Sequence, residues 1–147
     1  MIKRLLIIPV LALLGSCSPS RYAKKDAAHV KYAKEHAALV EEMVKYVLIF
    51  GKEHQTREFN VEVVADRSVR RKLYSLGARV DITYFSPGVY DSTVTFKTIN
   101  FSGVYEYMFD FATRPRRYGD KGQPGNSSVM IQVTDRIYYS RRPFPMM

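Results

Sequence analysis

The apolar residues in the first third of the chain recur at helical spacing. From Ala23 to Val47 they follow one another at intervals of three, four and seven residues, which is typical of one apolar stripe on an α-helix. Ser20 suits the N-cap, and Gly51 suits the position just after the helix end. The pattern predicts one long helix of roughly 45 Å whose second half packs against a core.

From residue 56 the apolar period changes to two, which is typical of half-buried β-strands. The first such stretch places Phe59, Val61 and Val63 on one face. The clearest is 104–113, whose aromatic row we interpret as the core side of a sheet. The predicted strands cover 56–65, 78–86, 92–101, 104–113 and 128–140.

Three local signals in the sequence separate or interrupt these predicted strands. Asp66 and Gly77 bound a short predicted helix as N-cap and terminator. The segment SPGVYD, residues 86–91, has the composition of a turn. The apolar phase slips between Phe96 and Ile99, which predicts a β-bulge.

This element order predicts the α+β class: one long N-terminal helix packed on a curved antiparallel sheet of four to five strands. By analogy of element order alone, the outline resembles cystatin-like and nuclear-transport-factor-like folds. Composition agrees with a globular domain, at 46% hydrophobic and 25% charged residues. Eleven Tyr and eight Phe also favour a sheet. We expect a single domain over residues 21–147.

Residues 1–16 have the organisation of a secretory signal. Lys3 and Arg4 precede a continuous apolar run from Leu5 to Leu14. Such a run spans only about 15 Å as a helix, half the ~30 Å hydrocarbon core of a bilayer. We therefore interpret it as a signal peptide and not as a membrane span.

The run ends in Leu14, Gly15, Ser16 and Cys17, which resemble the lipobox of bacterial lipoproteins. The resemblance implies cleavage between Ser16 and Cys17, a diacylglycerol on the thiol and an acylated new amino terminus. Residues 17–20 would then form a lipidated tether. Two or three acyl chains anchor a protein stably where one is marginal. Cys17 is the only cysteine, so the sequence predicts no disulfide.

The residues that follow Cys17 indicate whether a lipoprotein stays in the inner membrane or moves to the outer membrane. In lipoproteins of this kind an Asp next to the cysteine often signals inner-membrane retention, but this chain continues SPSRYAKK. The resemblance therefore implies an outer-membrane anchor with the domain facing the periplasm.

The formal net charge of +9 stays strongly positive after signal removal, since that segment carries only Lys3 and Arg4. Such a charge favours anionic partners, and export argues against nucleic acid. Basic residues also crowd the membrane-proximal end of the predicted helix, where they suit either an anionic surface or solvent.

The longest irregular stretch, residues 114–128, is rich in arginine. Loops of this length are usually functional or disordered, and arginine suits bidentate contact with phosphate or carboxylate. We hypothesise an anion- or partner-binding edge here, with a hydrated loop as the alternative. The candidate residues, the last three placed at the same end of the sheet, are Arg114, Arg116, Arg117, Tyr118, Lys121, Arg136, Arg141 and Arg142.

Common catalytic motifs are missing from the sequence, and we predict no catalytic residue, cofactor or metal site. His29 and His36 lie about 10 Å apart along a helix, too far to share one metal ion, and we interpret them as surface residues. The triplet Asp91-Ser92-Thr93 resembles the O-glycosylation signal of some bacterial envelope proteins, which makes Ser92 a possible modification site.

Two functions remain open at this point. The first is a small non-catalytic interaction module of the cell envelope, binding an envelope protein or an anionic envelope polymer. The alternative is a cup-shaped ligand-binding or hydrolytic domain that uses a cavity between helix and sheet. A filled core with an arginine-rich outer edge would favour the first, and a pocket with clustered titratable groups would favour the second.

Overall fold

A computed structural model describes residues 19–84, 92–111 and 128–143. The described residues belong to the predicted α+β class. In chain order the elements are α1 Pro19–Glu35, α2 Ala37–Glu53, β1 Glu58–Asn60, a 3₁₀ helix Val61–Val63, α3 Arg67–Leu76, β2 Arg79–Tyr84, β3 Ser92–Asn100, β4 Gly103–Asp110, β5 Val129–Gln132 and β6 Ile137–Arg142.

The strands form one antiparallel sheet in the order β1-β2-β3-β4-β6-β5, so it has six strands where four to five were expected. The three helices cover one face, which we call the inner face: α1 contacts β6, α2 contacts β2 and β4, and α3 contacts β3. Val80, Phe96, Tyr107 and Tyr139 are cross-strand neighbours on that face and are all buried. None of the helices in the described part of the chain is long and apolar enough to cross a membrane.

The predicted single long helix is wrong, because the helical run divides at His36 into two helices of 17 residues. His36 has φ −110° and ψ 23°, outside the helical range, although its amide still donates to Tyr32 O at 2.9 Å. Helix α1 also begins at Pro19, so Ser20 is not its N-cap. The break lets α2 bury Val40, Val44 and Val47 independently of the direction of α1.

Gly51 does not end the second helix, which continues to Glu53. A Cβ atom at Gly51 would lie 2.6 Å from Ile82 Cδ1 and 2.9 Å from Thr56 O. The residue therefore allows the close approach of α2 to β2 and is not a terminator.

The first predicted strand is much shorter than expected. Only Glu58–Asn60 pairs with β2, and a 3₁₀ helix follows directly. Because this helix has about three residues per turn, Val61 and Val64 point the same way and are both buried, whereas Val63 is exposed. The prediction holds for Phe59 and Val61 and is wrong for Val63.

The short helix between Asp66 and Gly77 is confirmed. The Asp66 side chain accepts hydrogen bonds from the amides of Ser68 at 2.7 Å and Val69 at 3.0 Å, as an N-cap does. At the other end the Gly77 amide donates to Leu73 O at 2.8 Å. The cap residues therefore set both ends of α3, as the sequence predicted.

The predicted bulge in β3 is absent. Strands β3 and β4 pair in continuous register from Thr93 with Asp110 to Asn100 with Gly103, so they form a tight hairpin. Gly103 has φ +138°, which favours glycine. Apolar residues appear out of phase because Ile99 lies on the uncovered face and Phe101 at the turn. The predicted turn at 86–91 lies outside the described residues.

Candidate functional site

A pocket of about 450 Å³ lies between α1, the end of α3 and the β3–β4 hairpin. Four of its residues recur at helical spacing along one side of α1, and β3 and β4 supply the opposite wall. We call it the aromatic pocket. Its lining residues are Lys25, Ala28, His29, Tyr32, Ser75, Asn100, Tyr105 and Tyr107.

The aromatic row of β4 has two roles. Tyr105, Tyr107 and Phe109 are all buried on the inner face, which confirms that this is the core side of the sheet. Tyr105 and Tyr107 also line the pocket, because α1 does not cover the start of β4 completely. The Tyr105 hydroxyl lies 2.7 Å from Ser102 Oγ, which ties this wall to the hairpin turn.

His29 stands at the base of the pocket and is half-buried, which corrects its interpretation as a surface histidine. Its ring stacks between Tyr105 and Tyr139, with centroid distances of 5.2 and 5.1 Å and interplanar angles of 26° and 10°. Its Nδ1 lies 2.7 Å from the Tyr107 hydroxyl oxygen. His36, seven residues on, stacks instead on Tyr32 at 4.0 Å.

Burial keeps the central groups of the pocket neutral. It lowers the pKa of the His29 imidazole; the nearby Asp26 carboxylate opposes this shift, and Lys25 adds to it. Burial also raises the pKa of the Tyr107 hydroxyl well above its ordinary value, with a further contribution from Tyr32. A neutral imidazole and a neutral phenol therefore share the hydrogen bond, and the hydroxyl donates to Nδ1 when the ring proton is on Nε2.

A buried ion pair lies beneath His29 and fixes α1 to the sheet. Arg141 donates to Asp26 from Nε at 2.8 Å and from Nη2 at 3.0 Å, and the Tyr139 hydroxyl donates to the same carboxylate at 2.8 Å. Both charged side chains are almost fully buried, with relative exposures of 3% and 2%. The Tyr22 ring lies 4.7 Å from the Arg141 guanidinium carbon. We call Asp26, Tyr139 and Arg141 the buried triad.

The triad also shifts the pKa values of its donors in the direction that keeps them protonated. The hydrogen bond to Asp26 raises the pKa of Arg141. Burial, followed by the hydrogen bond to Asp26, raises the pKa of the Tyr139 hydroxyl. The triad thus consists of one carboxylate with one cationic and one neutral donor.

Of the predicted arginine-rich edge, the structure describes Arg136, Arg141 and Arg142, and these three do not lie together at one end of the sheet. Arg141 is buried in the triad, so it is not available at the surface as part of the predicted binding edge. Arg136 directly precedes β6 and Arg142 is its last residue, so the two lie at opposite ends of the strand, about 20 Å apart at ~3.3 Å per residue. Arg142 Nη2 donates to Glu106 Oε1 at 2.6 Å.

The remaining predicted site residues are not tested by the described structure. Ser92 is the first residue of β3, within backbone pairing distance of Tyr84. The others lie outside the described residues, namely Ser16, Cys17, Arg114, Arg116, Arg117, Tyr118 and Lys121.

The outer face of the sheet carries a different arrangement of charge. Acidic and basic side chains alternate across five neighbouring strands, with Lys97 contacting Asp81 and lying 3.8 Å from Glu106. Glu106 also accepts from Ser140 Oγ at 2.9 Å, beside a groove of about 330 Å³. We call this set the charge ladder; it consists of Glu58, Arg79, Asp81, Lys97, Glu106 and Arg142.

Asp26, Asn100 and Ser75 were not predicted as site residues from the sequence. Asp26 is the single acidic residue among the basic residues at the start of α1, and that isolation was the available signal. Asn100 precedes the hairpin turn and Ser75 lies near the end of α3, but nothing local marks either residue as part of a pocket. Tertiary contacts alone bring them to His29.

No three His, Cys, Asp or Glu side chains in the described ranges come together to hold a metal ion. Comparison with protein-family models, with curated proteins and with solved structures found no match to this chain. The pocket presents aromatic side chains, hydrogen-bond donors on Lys25 and Asn100, and the Ser75 hydroxyl oxygen as an acceptor, because that hydroxyl already donates to Lys72 O at 2.7 Å.

Proposed function

We propose that this chain is a lipid-anchored binding protein of the bacterial outer membrane whose domain faces the periplasm and holds a small ligand in the aromatic pocket. The anchor in this proposal is Cys17, at the end of the lipobox-like segment. The ligand is bound and not transformed. This is the helix–sheet cavity function of the two that the sequence left open.

The aromatic pocket itself carries the proposal. Pockets that bind small molecules typically enclose about 300–1,000 Å³, are lined by aromatic side chains and place a few polar groups among them. The aromatic pocket, at about 450 Å³, meets each of these criteria. The arginine edge has less support, because Arg141 is buried and Arg136 and Arg142 are at opposite ends of β6.

The lining favours a ligand with a flat ring and one anionic or acceptor group. Tyr32 is half-buried beside the almost fully buried rings of Tyr105 and Tyr107, and aromatic groups pack against such rings in stacked or T-shaped geometry. Lys25 is an exposed cation beside these rings and would repel a cationic ligand. An aromatic carboxylate or a similar anion combines both features.

The buried triad supports binding by keeping the pocket in shape. Asp26 is one turn before His29 on α1, and Tyr139 both donates to Asp26 and stacks on His29. A wall that is held before the ligand arrives loses less conformational entropy on binding. The triad thus links α1 and the sheet, the two main walls of the pocket.

The test of the pocket uses 2-naphthoate, which has a flat ring system and a carboxylate, in isothermal titration calorimetry. Ala27 and Ala28 are both exposed on α1, but Ala28 lines the pocket and Ala27 does not. We expect the wild-type protein and Ala27→Phe to bind 2-naphthoate, and Ala28→Phe, which fills the pocket, to lose binding. Equal binding by both variants, or none by the wild type, would contradict the proposal.

The test of the anchor is fractionation of cells that express Cys17→Ser. We expect the unaltered chain and Ser18→Ala to sediment with outer membranes, and Cys17→Ser to appear in the soluble fraction. Retention of Cys17→Ser in the membrane would show that the acyl anchor is not what holds the protein there.

A further inference from the structure

Phe101 is fully exposed at the tip of the β3–β4 hairpin, with a relative exposure of 107%. Ile99, two residues earlier, is exposed by 52%. The turn that presents them is ordered by its own hydrogen bonds, since Asn100 Oδ1 accepts from the Ser102 amide at 3.0 Å and from Ser102 Oγ at 2.7 Å. A fixed turn thus displays an apolar ring that contributes nothing to the core.

The hairpin tip lies at the same end of the domain as the start of α1. Tyr105, near the beginning of β4, pairs with Arg141, and Arg141 binds Asp26 near the beginning of α1. Further along, His29 stacks on Tyr139 and Tyr32 lies 6.1 Å from Tyr107, so α1 runs away from the tip as it proceeds. From Asp26 back to Pro19, seven residue steps of the helix extend about 10 Å toward the tip end.

The short stretch of chain between Cys17 and α1 limits the distance between the start of α1 and the proposed anchor. Helix α1 begins at Pro19, two residues after Cys17. Two residues span at most about 7 Å of extended chain. If Cys17 carries the acyl chains, the tip end of the domain must lie close to the bilayer surface.

The side chains at this end suit a lipid surface. Lys24 and Lys25 are exposed cations in the first turns of α1 and attract anionic headgroups. Tyr22 is 41% exposed, and tyrosine is enriched where protein meets the membrane interface. Phe101 adds a ring with no polar group, suited to the boundary between headgroups and acyl chains.

We propose that the hairpin tip and the start of α1 form a second membrane contact, in which Phe101 inserts into the interfacial layer of the bilayer that holds the lipid anchor. The contact rests on the anchor at Cys17 proposed above. It fixes the orientation of the domain, and Lys25 and Asn100 belong both to this end and to the aromatic pocket.

The absence of tryptophan from the whole sequence makes the contact directly measurable. Phe101→Trp introduces one fluorophore at an exposed turn, where it displaces nothing. Ile49→Trp is the matched control: Ile49 is 59% exposed on α2, two residues from Gly51, which packs on Ile82. Ile82 pairs with Val94, six residues along β3 from Asn100, or about 20 Å from the tip.

The experiment reconstitutes each lipidated full-length variant into vesicles of phosphatidylethanolamine and phosphatidylglycerol, with and without brominated acyl chains, and isolates the vesicles by flotation. We expect both variants to float. The emission of Phe101→Trp should then shift to shorter wavelength and lose most of its intensity to brominated lipid, while the emission of Ile49→Trp should change little.

The outcomes separate this contact from the anchor. Flotation with the Phe101→Trp emission unquenched, or with both variants quenched equally, overturns the contact and leaves the anchor standing. Failure to float overturns the anchor and the contact together. If the Phe101→Trp fluorophore is unquenched by brominated lipid but shielded from acrylamide in native envelopes, a protein covers the tip, which also overturns the membrane contact.

Discussion

The two faces of the sheet use the same chemistry, carboxylates paired with cations, in opposite environments. On the inner face Asp26 and Arg141 meet under α1, with relative side-chain exposures of 2% and 3%. On the outer face the charge ladder runs across the strands, and its end members remain in solvent: Glu58 is 57% exposed and Arg142 59%. Exposed pairs contribute about 0–1 kcal/mol, whereas removing one partner of a buried pair costs about 3–5 kcal/mol.

Because of this difference in burial, the buried triad and the charge ladder have different structural roles. The buried triad joins residues more than 110 positions apart and holds α1 against β6, so the shape of the aromatic pocket depends on it. Within the ladder, Lys97 lies directly opposite Glu106 on the neighbouring strand, whereas Glu58 lies opposite another carboxylate, Asp81, and makes its ion pair with Arg79. Opposite charges such as Lys97 and Glu106 favour this strand register, and the loss of one exposed contact at the end of the ladder should cost little.

The largest effect is expected from Asp26→Ala. It leaves the Arg141 guanidinium buried without its carboxylate, and the free energy of unfolding should fall by about 3–5 kcal/mol. Urea denaturation measures this, with Asp135→Ala, at an exposed position, as the control. A loss below about 1 kcal/mol would mean that the triad does not stabilise the fold in the way its burial implies.

Glu106→Gln should have the next largest effect. Glu106 is the least exposed member of the ladder, with a side-chain exposure of 10%, and it accepts from Ser140 and Arg142. Glutamine keeps the shape and loses the charge, so we expect a loss of about 1–2 kcal/mol in the same assay. If the unfolding free energy falls as much as in Asp26→Ala, the outer-face charges contribute as much to stability as the buried triad does, which would contradict the difference between the two faces.

His29 should make stability pH-dependent on the inner face. Because burial lowers its pKa from the ordinary 6.5, the unfolded chain takes up the proton first as the pH falls. The stabilising contribution is complete above that value and is lost as the pH falls toward the folded-state pKa. We expect the free energy of unfolding to fall from pH 7.5 to 5 less steeply in His29→Gln than in the wild type.

The imidazole can be followed directly by NMR. Its C2 proton should titrate at lower pH in the folded protein than in urea. An identical titration midpoint in the folded and the urea-unfolded protein would show that burial does not lower the pKa of His29.

The smallest effect is expected from Arg79→Ala at the edge of the ladder. Arg79 contacts Glu58 and Asp81 but is 39% exposed, so solvent screens both contacts. The change in unfolding free energy should be about 0.5 kcal/mol or less and should shrink in high salt. A larger, salt-independent loss would indicate that this part of the ladder is effectively buried.

Prediction from sequence succeeded where the signal was local. Asp66 caps α3 through amides two and three residues away, and alternation identified the aromatic row of β4 as the core side of the sheet. It failed where a distant segment decides. Gly51 was predicted to terminate a helix, but in the structure it allows the close packing of Ile82. Arg141 was predicted as a surface cation, but in the structure it is paired with Asp26.

The sequence by itself determined the α+β class, the order of most elements, the inner faces of the central strands and the ends of α3. Each follows from hydrophobic periodicity or from a hydrogen bond within a few residues. Tertiary structure alone decided the burial of Arg141 and the formation of the aromatic pocket. Those depend on contacts between segments up to 115 residues apart, whose energies have no signature in local spacing.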